Sequence, residues 1–332
     1  MLGRAIGSLF TVGPRADDRQ HALRVAAGLA VPGVILVAVG RPDLLLYAVF
    51  GSFTGMYGRI DDRRTRLRHQ CEAAAFLITG VTVGVILAAT GVTSVRLVVV
   101  ETVFAAVGSV FADSRQLLPR GPFFALFALG ACAMVPAGAV WPGVAVAICA
   151  ATAVWAIVIG RLDTRTRHRT HVDADRQVTP VLNAIRYPLA VGLAGACGVA
   201  LGVAHANWAM ISAAVPLAAR AADTGYSVQR AVHRIVGTYA GLVATALLLL
   251  PHPQPRTLAI VVMVLIFPTE QFMARNYALA MGFFTPLIML MTDLASPTAP
   301  RELVVDRGLD TMIGVGIGVA VLLLVRPRAD PS

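Results

Sequence analysis

Residues 59–91 read RIDDRRTRLRHQCEAAAFLITGVTVGVILAATG. The first part is a run of arginines, and residues 73–91 carry no charge at all. A helix needs about 20 consecutive apolar residues to cross a bilayer, and arginine clusters mark the cytoplasmic flank. This single stretch therefore predicts a spanning helix and its direction. The rest of the chain repeats the pattern. Hydrophobic residues make up 57% and charged residues 14% of 332 positions, and the mean hydropathy is +0.73. A water-soluble domain carries roughly a quarter charged residues, so lipid is the expected solvent.

Apolar blocks fall at 22–40, 43–58, 73–91, 96–112, 122–140, 142–160, 187–204, 207–221, 235–251, 256–273, 277–296 and 308–325. They predict an all-α polytopic membrane protein of about twelve transmembrane helices, arranged as two parallel six-helix repeats. Blocks 43–58 and 207–221 are short, and one member could be re-entrant. The implied organisation is a cytoplasmic arm (1–21), a first repeat (22–160), a charged cytoplasmic linker (161–186), a second repeat (187–325) and a cytoplasmic tail (326–332). The arm holds Arg4, Arg15 and Arg19 ahead of a full span, which reads as a retained helix rather than a cleaved signal.

All 28 basic residues are arginine, and the net charge is +10. With both termini in the cytoplasm of a plasma-membrane protein, only Arg41, Arg96, Arg256, Arg301 and Arg307 fall outside. Shifting the register by one helix scrambles that alternation. Arginines between apolar blocks suit anionic headgroups, which argues against nucleic acid as a partner. The four cysteines form no CxxC pair, and His168 and His171 stand alone in an arginine-rich loop, so no metal and no cofactor is expected.

A shift of about 160 residues puts Arg115 on Arg275 and Phe123-Phe124 on Phe283-Phe284. A slightly larger one puts Arg66 and His69 on Arg230 and His233. Six blocks per half keep both halves in one orientation, related by an axis along the membrane normal.

Four stretches carry a resemblance: Asn207–Ala214 (NWAMISAA), Gln229–Thr238 (QRAVHRIVGT), Asn276–Leu287 (NYALAMGFFTPL) and Arg307–Gly314 (RGLDTMIG). In this order they resemble the fusaric acid resistance (FUSC)-type membrane domain. The first half matches more loosely, through Leu45–Gly51 and the arginines after it. The resemblance implies export or permeation of organic anions, often aromatic carboxylates. The family's wider clan includes plant aluminium-activated malate channels. Larger members carry an added cytoplasmic helical region that this chain does not match.

The residues themselves suggest where transport occurs. Short or Gly/Pro-interrupted segments at matching places in two repeats point to a pathway. Here they offer Phe53, Tyr57, Trp208 and Met210 to face an aromatic ring, and Ser52, Thr54 and Ser212 to donate to a carboxylate. Pro216 interrupts the second segment, and Thr285-Pro286 is a further interrupted site. Tight packing by small residues is the competing account. Arg230 and Arg234 share a helix face and could attract anions or anchor to headgroups. Gly237 and Gly241 suit a close helix seam. Glu101, Glu270 and Asp310 are intramembrane acids that could couple protons, or pair structurally near the headgroups, Asp310 with Arg307. No Walker motif, HExxH or GxSxG is present, which argues against an enzyme. A secondary exporter is the leading reading. A passive anion channel and a non-catalytic envelope scaffold are the alternatives, and a homo-oligomer is compatible with each.

Overall fold

The computed structural model describes residues 18–162, 180–202, 206–218 and 224–325, together with residues 7, 9 and 11–13. Most of the 161–186 linker, including His168 and His171, lies outside the described residues, as do Arg4, Arg15, Arg220, Arg326 and Arg328. The described residues form twelve α-helices and no strand. They are α1 (Asp18–Ala38), α2 (Leu45–Ser52), α3 (Arg63–Ala89), α4 (Ser94–Ser114), α5 (Phe123–Ala133), α6 (Pro142–Leu162), α7 (Pro180–Ala200), α8 (Ala206–Leu217), α9 (Thr224–Leu249), α10 (Pro255–Phe272), α11 (Tyr277–Ala295) and α12 (Pro300–Leu324).

Nine of these are long and apolar enough to cross a membrane; α2, α5 and α8 are not. The chain is thus a polytopic helical membrane protein, with fewer full-length spans than the twelve apolar blocks predict. Short 3-10 turns, Pro42–Leu44 and Phe53–Met56, extend α2 at both ends. At about 1.5 Å per α-helical and 2 Å per 3-10 residue, this run reaches about 26 Å. Every residue of it from Leu44 to Tyr57 is buried. Irregular backbone survives at membrane depth only inside protein, and this run is inside. All of α5 is buried as well.

The long helices form a sheath around these short ones. Along α4, Val95, Val99, Val103 and Val107 are each more than half exposed. Such a stripe would be an aggregation surface in water and is an ordinary outer face in lipid. In the sheath, α1 packs on α6 and α10, and α7 packs on α12 and α4. Toward the centre, α2 packs on α6, α3 on α5, α8 on α12 and α9 on α11. Each pairing has a counterpart six helices further along the chain.

Glycines allow the central contacts. A Cβ at Gly80 or Gly84 of α3 would strike the α5 carbonyls of Ala125 or Leu129, and one at Gly314 or Gly318 of α12 would strike the α8 carbonyls of Ala209 or Ala213. The seam expected at Gly237 and Gly241 is present: it closes on Ala278, Met281 and Thr285 of α11.

Three helix starts differ from the sequence reading in ways that matter. Helices α3 and α9 begin well before their apolar blocks, so Arg66, His69, Arg230 and His233 are on the helices themselves. Asp62 caps α3 by accepting from the Thr65 amide at 3.1 Å. Helix α12 starts at Pro300, where proline suits the first turn. Arg307 and Asp310 therefore lie two to three turns inside the helix, not at its end.

Candidate anion pathway

On the side bearing the Arg-rich connections, a cavity of about 330 Å³ opens at the centre of the bundle. Arg59, Arg120 and Arg230 line it. Arg59 follows Gly58, whose φ of +73° makes the turn out of the central run; a side chain there would meet Arg66. Arg120 stands on the α4–α5 connection, and Gly121 beside it (φ +77°) faces the Tyr187 hydroxyl. Arg230 stacks on the Tyr277 ring, 4.1 Å from its centroid. His21 and Glu270 line the same cavity, 3.2 Å apart, and Arg24 Nη2 lies 2.9 Å from His21 Nδ1. This chain of contacts ties α1 to α10.

The floor of this vestibule is aromatic. Phe124 and Phe284, from α5 and α11, meet with ring centroids 6.3 Å apart. Phe53 touches both, at 5.2 and 6.2 Å. Phe127 lies beyond them, in contact with Phe50 at 5.0 Å, Phe284 at 6.4 Å and Trp208 at 5.5 Å. Edge-on and tilted ring pairs of this kind are favourable and rigid. On the far side of this plug, Trp208 and Asn207 line a second cavity of only about 40 Å³. A basic, partly aromatic chamber is thus closed from the other side by interlocked rings.

Two further arginines are buried at the plug. Arg234 is 1% exposed, sits 5.7 Å over the Phe123 ring and donates from Nη1 to Met281 Sδ at 2.8 Å. Arg307 is 1% exposed and lies 4.3 Å over Trp208.

The structure divides the pathway residues named from sequence. Phe53 and Trp208 belong to the plug. Thr54 is buried with its hydroxyl unpartnered, while Ser52 donates to the Val49 carbonyl at 2.7 Å. Tyr57 is 1% exposed, at the end of the central run. Met210 is turned toward Gly195 of α7, and Ser212 toward Gly314 of α12. Thr285 and Pro286 pack on Gly241 of α9. Pro216 is buried near the end of α8, whose neighbouring Val215 lines the vestibule. Helix packing thus accounts for Met210, Ser212, Thr285 and Pro286. Arg230 faces the vestibule, and Arg234 lies deeper than a headgroup anchor would.

The acids also separate. Glu270 is a vestibule residue. Glu101 is fully buried, with neither oxygen hydrogen-bonded among the described residues, converging with Asn207 on Gly130. Asp310 is buried, and neither of its oxygens finds a hydrogen-bond partner among the described residues, Arg307 included. The sequence alone does not mark His21, Arg59, Arg120, Phe124 or Phe284 as lining, or Phe127 as part of the plug. The Phe123-Phe124 and Phe283-Phe284 correspondence was the available signal for two of them.

Fold and site together define a multi-pass membrane protein with a basic, aromatic-floored central chamber. Residues 191–321 match the family described as fusaric acid resistance protein-like, which covers α8–α11, most of α12 and about half of α7. A Bacillus subtilis (strain 168) protein named uncharacterized membrane protein YvaC is 27% identical over 156 residues, 45% of this chain. The match spans about a quarter of that relative, 24% of its length. No solved structure matches.

Proposed function

We propose that this protein is a secondary exporter of small organic anions, aromatic carboxylates in particular, and not an enzyme. The vestibule carries the reading: three arginines at the mouth of a chamber whose floor is aromatic rings. Guanidinium forks suit carboxylates, and ring faces suit the apolar body of an aromatic acid. The fusaric acid resistance protein-like match agrees with transport. The plug favours alternating access over a standing channel, because interlocked rings part the large chamber from the small one. The correspondence of helix pairings six apart supports two parallel repeats about a central axis, with Phe124 and Phe284 as equivalent residues meeting on it. Arginine placement supports cytoplasmic termini in the plasma membrane and a vestibule on the cytoplasmic side.

An efflux screen in everted membrane vesicles tests this. Accumulation of an aromatic carboxylate that a protonophore abolishes is the expected result. Gradient-independent anion current would favour the channel, and no flux of any organic anion would leave the scaffold reading.

A further inference from the structure

Arg234 and Arg307 are the two largest fully buried side chains among the described residues. They come from α9 and α12, which pack together. The Tyr239 hydroxyl donates to the Gly308 carbonyl at 3.2 Å, which fixes the register of the two helices. Counting along the helices from that contact puts Arg234 on the order of 9 Å nearer the vestibule side than Arg307.

Four aromatic contacts join them. Arg234 lies on Phe123, Phe123 is 6.3 Å from Phe127, Phe127 is 5.5 Å from Trp208, and Arg307 lies on Trp208. The ladder links the two cavities. Phe123 and Met281, which hold Arg234, line the vestibule, and Trp208, which holds Arg307, lines the far cavity.

Both guanidiniums have donors to spare. Nε and Nη2 of Arg234, and Nε and Nη1 of Arg307, are buried without a hydrogen-bond partner among the described residues. The two charges also act on each other electrostatically, with Asp310 the carboxylate that faces Arg307. A buried charge with unmet donors is costly, and two that repel cost more, unless an anion completes them. A carboxylate matches the guanidinium fork, and a ring face does not satisfy N–H donors.

We propose that Arg234 and Arg307 form a two-station carboxylate relay inside the membrane, distinct from the arginines of the vestibule. The carboxylate leaves the chamber by engaging Arg234 and reaches the far side by engaging Arg307. The body of the anion moves along Phe123, Phe127 and Trp208 as their rings turn. This rests on the transport reading and adds a binding site to it.

Trp208 makes the site observable. Replacing Trp141 and Trp155 by Phe leaves Trp208 as the reporter, and benzoate is the probe. Saturable change of Trp208 emission with benzoate is expected in the purified protein. Arg307→Gln should weaken that binding about tenfold or more, since it removes charge-assisted hydrogen bonds. Arg307→Lys keeps the charge, loses the fork, and should fall between. Arg256→Gln, on an exposed residue, should leave it unchanged. Should Arg307→Gln not fold, the Lys variant and the parental Trp208 response carry the test. If vesicles transport benzoate while Trp208 stays silent at saturating benzoate, the relay is overturned and the transport reading stands. Unchanged affinity in Arg307→Gln or Arg307→Lys also overturns it. Loss of both transport and binding overturns both.

Discussion

Phe127→Ala should turn a sealed protein into a leaky one. Phe127 is fully buried and contacts Phe50, Phe123, Phe284 and Trp208. It therefore touches the walls of both cavities, through Phe284 on one side and Trp208 on the other. Truncation leaves a void on the order of 100 Å³, and at about 24 cal/mol per Å³ that void costs about 2.4 kcal/mol. Lost edge-on contacts add about 0.5–1.5 kcal/mol per ring pair, so the total falls near the usual 3–5 kcal/mol for such a change. The new void lies between a chamber of about 330 Å³ and one of about 40 Å³ and joins them. In proteoliposomes loaded with benzoate, the variant should show gradient-independent efflux that the parent lacks. Phe127→Leu, which fills most of the space, should stay close to sealed. A Phe127→Ala protein that is folded, measurably destabilised and still sealed would refute the plug as the barrier.

Four smaller tests follow from other contacts. Gly314→Leu should prevent folding, because its side chain meets the Ala209 carbonyl and Ser212; wild-type yield and melting temperature would contradict this packing. Glu270→Gln replaces the carboxyl group beside the vestibule arginines with an amide and should lower KM for benzoate, read from initial rates across substrate concentrations. Asn276→Ala cuts the hydrogen bonds from its amide to the Leu9 and Thr11 carbonyls, at 2.8 and 3.2 Å, and should speed proteolysis of the N-terminal arm. The Thr65 hydrogen bond holds the Asp62 carboxyl below its ordinary range near 4. A lowered folded-state pKa gives stability that is complete above the unfolded value and lost as pH falls through the folded one. Asp62→Asn should abolish that acid-side loss, as measured by melting temperature against pH.

Periodicity and charge made much of this fold legible. Block 73–91 gave the place of α3, because lipid demands an unbroken apolar length. The block at 122–140 misled, since apolar composition cannot tell a lipid-facing span from a short helix buried in protein, whereas 43–58 and 207–221 were short by their length alone. The start of α12 at Pro300 puts Arg307 and Asp310 two to three turns inside the helix, and a proline before an acidic, basic stretch reads as loop in sequence. The site was less legible. Trp208 and Phe53 were named for the pathway and belong to the plug, but Ser212 and Thr285 face glycines on neighbouring helices. Which face of a buried helix turns inward depends on partners distant in sequence, and the glycines at 241 and 314 settle it only once the helices are paired. Arg59 and Arg120 read as two more loop arginines until the bundle brings them to one cavity.

Counterflow measures the central claim most directly. Purified protein in liposomes is preloaded with unlabelled benzoate and given labelled benzoate outside. A binding site exposed to one side at a time predicts that inner benzoate accelerates entry of the label, and that Arg230→Gln weakens the effect. Label entry that follows the electrochemical gradient alone, with no response to inner benzoate, would contradict the account and leave an open pore in its place.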